Sequence, residues 1–210
     1  MHFSKIQGIQ SILETELPGE ESHSLLMPVN RPYSSEIRKN AEGFRKSAVA
    51  IILYEQQNRL ESILIQRPKY DGTHSNQIAF PGGKMDGSDP DLEFTARREC
   101  MEEVGIPIET PRLIGRLTDI YIPVSKFIVA PHIFHVERLP KLIPDAREVD
   151  SIIQFDIEEV LREDVIQSTT IDFGQGFHQK NVPYFSIRDK VVWGATGMML
   201  SELRAILQKV

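Results

Sequence analysis

The sequence predicts an α/β fold, and three observations predict it. Two apolar, β-branched runs, 48–54 (AVAIILY) and 60–66 (LESILIQ), flank the polar segment EQQNR, the pattern of two paired strands. The stretch 89–103 lacks glycine and clustered β-branched residues, opens on Asp89-Pro90 and is soon followed by Gly105, so it reads as a helix with start and stop signals. Further apolar runs at 113–122, 127–136 and 148–155 supply more strands, and an amphipathic stretch at 195–208 supplies a closing helix.

Phe3, Ile6, Ile9, Ile12 and Leu13 recur at spacings of three and four, which predicts an amphipathic helix ending before Pro18-Gly19. Residues 19–46 carry Pro28, Pro32 and scattered charge and read as a connection holding one short strand. The organisation that follows is an N-terminal helical arm and linker over 1–46 and a single domain over 47–210. Within that domain 70–81 reads as loop and 157–162 as a short helix; no internal repeat or low-complexity segment interrupts it.

At 210 residues and 40% hydrophobic content the chain can build a core. No apolar run approaches the ~18 residues of a membrane span, and MHFSKIQGIQ lacks the order of a secretory signal, so the expectation is a cytoplasmic protein without a membrane partner. The lone cysteine, Cys100, excludes an internal disulfide. A net charge of -6 argues against a nucleic-acid partner and favours cation binding.

The chemistry concentrates in GGKMDGSDPDLEFTARRECMEEVGI, 82–106. On a helix, Glu99, Glu102 and Glu103 fall at i, i+3 and i+4 and share a face. Like charges so close, near a helix C-terminus, repel one another and oppose the macrodipole. A hard divalent cation taking carboxylate oxygens offsets this, and Mg2+ characteristically binds a few carboxylates together with substrate phosphates. Arg98 can form a bidentate pair with one of the acids. Phe80-Pro81-Gly82-Gly83 lets backbone approach a ligand closely or adopt positive φ.

This segment resembles the Nudix box: Gly, five residues, Glu, seven residues, Arg-Glu, an aliphatic residue, any residue, Glu-Glu, any residue, Gly and an aliphatic residue. Gly83, Arg98, Glu99, Glu102, Glu103, Gly105 and Ile106 match. Asp89 replaces the first Glu, eight residues rather than seven separate it from Arg98, and Cys100 takes the aliphatic position. Asp89 is therefore either an outer acid of the box or only the helix cap. The resemblance implies an α/β/α sandwich with a mixed β-sheet, its core over 47 to about 160. It also implies that Glu99, Glu102 and Glu103 bind Mg2+ or Mn2+ and that Arg98 orients them; Glu102 and Glu103 are expected to carry the principal contacts, with Glu99 completing the site and Gly83 adding its carbonyl. Glu102 or Glu148 is the expected general base, and Glu148 a further candidate ligand.

The stretch 64–83 resembles the additional motif of the Nudix subgroup that hydrolyses coenzyme A. Leu64, Arg67 and Phe80 to Gly83 match, whereas the subgroup's second arginine falls on Gly72, its serine on Pro68 and its glycine on Asn76. IPVSKF (122–127), VPYF (182–185) and WGATGMML (193–200) are also similar to members of that subgroup. The resemblance implies hydrolysis of coenzyme A or an acyl-CoA to 4′-phosphopantetheine and adenosine 3′,5′-bisphosphate. Arg67, Lys69, Lys84 and Phe80 are the candidate substrate-binding residues. His74, His132, His135, Trp193 and Phe185 are each readable as pocket wall or as packing. Pyrophosphatase action on ADP-ribose or another nucleoside diphosphate sugar, and a non-catalytic nucleotide sensor, are the alternatives. The family resemblance admits a homodimer.

Overall fold

The computed structural model describes residues 2–27, 31–39, 42–70, 75–172 and 178–210. Its centre is strand β1, Arg45–Gln56, whose run from Ala48 to Tyr54 is almost wholly buried because both faces of the sheet are covered. Side chains alternate across it. Ile51 and Leu53 join one apolar cluster, and Ala48, Ala50, Ile52 and Tyr54 join the other.

Strand β2, Arg59–Gln66, pairs antiparallel with β1. The expected five-residue separation closes to a two-residue turn, Gln57-Asn58, with both φ positive (48° and 60°), the geometry that matches strand twist. Two short strands, β3 (Ile78–Ala79) and β4 (Gly82–Lys84), precede helix α4, Leu92–Val104. The run expected at 113–122 is two strands, β5 (Arg112–Arg116) and β6 (Ile120–Ile122). The register slips around Gly115, whose φ is 153° and where a Cβ would stand 2.8 Å from Leu13. Strands β7 (Phe127–Val136) and β8 (Ser151–Asp156) complete the sheet in the order β3-β2-β1-β7-β5, with β4 on β1, β6 on β7 and β8 on β2. The β1–β7 pair is parallel and its other pairs are antiparallel, so the sheet is mixed as expected.

Helix α4 covers one face with Ala96, Cys100 and Val104. The other face is covered by helix α1 (His2–Thr15), through Ile6 and Ile9, and by a closing helix, Gly194–Leu207. Three further strands there, β9 (Ile166–Asp172), β10 (His178–Ile187) and β11 (Lys190–Trp193), form a separate antiparallel sheet absent from the sequence reading. The 157–162 segment is a 3-10 helix over Ile157–Leu161. Where one strand was expected between 19 and 46, the described residues before β1 hold two short helices, α2 (Glu20–His23) and α3 (Ser34–Lys39). With α4 in place, the closing helix is α5.

A fully buried carboxylate ties these outer pieces together. Glu202 of α5 accepts from Gly19 N–H (3.1 Å), Thr118 N–H (3.1 Å) and Thr118 Oγ (2.8 Å), and lies 3.0 Å from Nε2 of the buried His23. Burial pushes its pKa up, but the bonds from His23 and Thr118 outweigh burial and hold it below the ordinary range. An acid depressed in the folded state stabilises the fold above its unfolded pKa, and that contribution is lost as pH falls through the folded value. Glu202→Ala should therefore cost about 3 kcal/mol and lower Tm by roughly 6–12 °C at neutral pH, with a smaller gap to the parent chain in acid. Thermal denaturation followed by circular dichroism at several pH values checks this.

Candidate active site

Helix α4 begins at Asp91, not at Asp89. Asp91 is extended (φ -157°) and its carboxylate accepts from Phe94 N–H at 2.8 Å, the bond that defines an N-cap. Asp89 has a different partner set. Its buried carboxylate accepts from Asp86 N–H (2.9 Å), Thr95 Oγ (2.9 Å), and Nε and Nη2 of Arg98 (2.9 Å each). The two-pronged bond from Arg98 holds the Asp89 carboxyl far below the usual carboxylate range. The helix ends as expected on Gly105 in the left-handed region (φ 78°), with its N–H on Met101 O.

The same guanidinium reaches forward. Arg98 Nη1 donates to Glu99 Oε1 and Glu102 Oε2, 2.9 Å each, and Nη2 donates to Lys84 O at 3.1 Å. Of the three glutamates, Glu103 is 1% exposed at its side chain, Glu99 13% and Glu102 51%. Thus Glu99 and Glu103 line a cavity of ≈ 1190 Å³, while Glu102 stands behind them at the surface, joined through Arg98.

The double glycine serves close approach, since neither Gly82 nor Gly83 has positive φ. Both sit in β4 against β1, paired with Val49 and Ala48. A Cβ at Gly82 would come within 2.6 Å of Val49 Cα, and one at Gly83 within 2.5 Å of the Glu99 carboxylate. Gly82 N–H donates to Glu103 Oε2 at 2.7 Å.

Burial drives the Glu103 pKa up to about 8, against the Gly82 N–H and the charge of Arg67, with Glu99 and Glu148 raising it further. Its other oxygen, Oε1, is buried and accepts no hydrogen bond; Arg67 Nη1 approaches to 3.6 Å. Burial likewise raises Glu99, opposed by Arg98. Among the described residues no three His, Cys, Asp or Glu side chains are already grouped as a ligand shell. The donor set nevertheless suits a hard cation: two cavity-facing carboxylates, one with an unpartnered buried oxygen, beside a backbone position where no side chain fits.

Arg67, Phe80, Gly83, Lys84 and Glu148 also line the cavity, as does Trp193. Lys69 is exposed and does not. His132 and His135 are buried in β7 away from it, with burial lowering both pKa values, and Phe185 packs in the core. His74 lies outside the described residues. Sequence reading missed the wall built from the second sheet, including Thr169 and Asp172, and missed Arg31. No motif surrounds Arg31 in the sequence.

Comparison with known proteins bears on this geometry. The Nudix domain family model matches residues 44–171, more than half of the chain. A human mitochondrial coenzyme A diphosphatase is 30% identical over 137 residues, 64% of this chain and 57% of that protein. An uncharacterized Nudix hydrolase of Citrobacter koseri is 30% identical over 159 residues, 76% of this chain and 81% of that one. The mitochondrial Nudix hydrolase 15 of Arabidopsis thaliana is 30% identical over 74% of this chain and 56% of its own length. The chain thus spans just over half the length of its human and plant relatives.

Among solved structures, a MutT/Nudix family protein from Enterococcus faecalis superposes with a TM-score of 0.54 at 14% identity, covering 90% of this chain and 74% of that one. An Ap4A hydrolase from C. elegans gives 0.53 at 16% identity, covering 79% and 99%. These two share the fold, an α/β architecture around a mixed sheet. No helix among the described residues is long and apolar enough to cross a membrane. With a matching domain model, relatives at about 30% identity and the glutamate-bearing helix beside its double glycine, the chain belongs to the Nudix hydrolase family.

Proposed function

We propose that this chain is a Mg2+- or Mn2+-dependent pyrophosphohydrolase that cuts the phosphoanhydride of coenzyme A or an acyl-CoA. One observation carries the hydrolytic reading: Glu99 and Glu103 face a large cavity beside Gly83, and Glu103 Oε1 is buried without a hydrogen-bond donor. Coenzyme A is favoured by the name of the human relative and by the matching Leu64, Arg67 and Phe80 to Gly83.

In this reading Glu99 and Glu103 hold the ion, with the Gly83 carbonyl beside them and Glu102 adding charge from the rim. A bound divalent ion neutralises phosphoryl oxygens and favours ionisation of water. Arg98, anchored on Asp89, fixes the rotamers of Glu99 and Glu102, so the acids do not splay under their own repulsion. Lys84 and Arg67 line the cavity where they can meet phosphate charge, and the apolar wall from Phe80 and Trp193 limits water around the anhydride. Glu148, exposed at the cavity and close enough to raise both Glu99 and Glu103, is the candidate to take the proton from the attacking water. Attack at phosphorus breaks one P–O–P bond and consumes one water. The products are 4′-phosphopantetheine, or its S-acyl thioester, and adenosine 3′,5′-bisphosphate.

Mass-resolved assays with Mg2+ and Mn2+ on coenzyme A, an acyl-CoA and ADP-ribose should show the first two cleaved faster. Glu103→Gln, which keeps an acceptor for Gly82, should lower kcat by on the order of 100-fold or more, and Glu102→Gln likewise if the rim acid shares the ion; full activity in both rejects the assignment. Asp89→Asn should lower kcat by roughly 10- to 100-fold through misplacement of Arg98. Because ion binding takes the ionised carboxylate and Glu103 is raised to about 8, Mn2+ affinity should climb with pH and level off above that value, with a proton released on binding. Calorimetry in buffers of different ionisation enthalpy measures both.

A further inference from the structure

Arg31 belongs to none of the motifs above, yet its side chain lines the cavity. It lies shortly before α3, and Arg31 and Ser34 both meet the edge of β6 that does not pair with β7. Tyr121 turns both of its backbone groups to that edge: its N–H donates to Ser34 Oγ at 3.1 Å, and its carbonyl accepts from Arg31 Nη2 at 2.5 Å. Closing a strand edge needs only that one donor. A guanidinium offers five, and Arg31 Nε is buried without a partner.

Arg31 also differs from the other arginines near the site. Arg98 meets Asp89, Glu99 and Glu102, and Arg67 faces Glu103. No carboxylate pairs with Arg31 among the described residues, and burial alone acts on its pKa, lowering it. A partly buried cation without a counter-charge is costly, and a ligand anion supplies what the protein omits.

The sheet register separates the strand that anchors this cation from the strand that abuts the glutamates. Lys84 of β4 pairs with Ser47 of β1, Ser47 with Val129 of β7, and Val129 with Ile120 of β6, next to Tyr121. Three strand spacings separate the β4 backbone at the box from the carbonyl that holds Arg31, roughly 14 Å. The two phosphates of a single diphosphate are too close together to span that gap. Val49, Phe127, Val129 and Met199 line the cavity together with these two polar ends, giving an apolar stretch of wall.

We infer that Arg31 is a specificity-determining residue that binds a second anionic group of the substrate, a phosphomonoester or a carboxylate carried away from the anhydride that is cut. The inference rests on the hydrolase reading for the position of the first anion, but its own test is a comparison between matched ligands. Coenzyme A against dephospho-coenzyme A differs by one phosphomonoester; succinyl-CoA against propionyl-CoA differs by one distal carboxylate. Each pair is assayed with the parent chain, with Arg31→Gln, which keeps a polar side chain without the charge, and with Arg31→Lys, which keeps the charge.

In at least one pair the parent chain should prefer the more anionic member in kcat/KM by roughly 10- to 100-fold, mainly through KM. Arg31→Gln should collapse that ratio and Arg31→Lys should restore part of it. The pair that responds identifies the source of the anion. A parent ratio near one in both pairs, or a ratio that survives Arg31→Gln, overturns the assignment. The same ratios are read as binding affinities by calorimetry in EDTA. An absence of turnover on all four compounds with Mg2+ and Mn2+ therefore rejects the coenzyme A hydrolase reading, while the binding ratios decide on Arg31 separately.

Discussion

The guanidinium of Arg98 grips Asp89 with two nitrogens and distributes its third between Glu99 and Glu102. Three acids and one base would otherwise be a poor arrangement for a single short helix, because the acids repel and the helix dipole opposes them near its end. Anchoring the cation on a fully covered carboxylate changes that balance. Asp89 is itself held by Thr95 and a backbone N–H, so Arg98 has little freedom and the glutamates it holds inherit that restriction. Glu103 is fixed from the other side, by the N–H of Gly82.

Both controls depend on how closely β4 lies on β1. The double glycine brings the backbone into space that any Cβ would occupy, against Val49 on one residue and against the Glu99 carboxylate on the next. β1 receives it on the edge that it shares with β2, while its other edge is paired with β7. The glutamates are therefore set against the middle of the sheet, where backbone pairing on both edges of β1 fixes the frame that holds their charge. The opposite wall of the cavity is different in kind. It comes from a small separate sheet, which packs on α5, and from the N-terminal stretch, which the buried Glu202 of α5 holds through Gly19 and His23. The two walls of the cavity are thus held by different parts of the fold, so residues of the facing wall can vary without disturbing the acids.

Residue order alone carried the α/β class, the hairpin of β1 and β2, helix α4 with its Gly105 stop, the closing helix and the family signature in Glu99, Glu102 and Glu103. These are local signals: side-chain periodicity, caps and fixed spacings along one segment, which survive without knowledge of what packs against them. Tertiary structure alone decided that Asp91 caps the helix and frees Asp89 for Arg98. It also decided that Glu99 and Glu103 face the cavity while Glu102 does not, and that Lys69 stays out of it. The second sheet escaped notice for the same reason. β9 reads IQSTTID, a polar strand half open to solvent, and becomes a strand only through pairing with β10. Arg31 is the extreme case, since its meaning comes wholly from Tyr121, ninety positions away, and from the absence of a nearby acid among the described residues. Pairing partners and burial are properties of chain crossings in space, and a one-dimensional pattern carries no record of them.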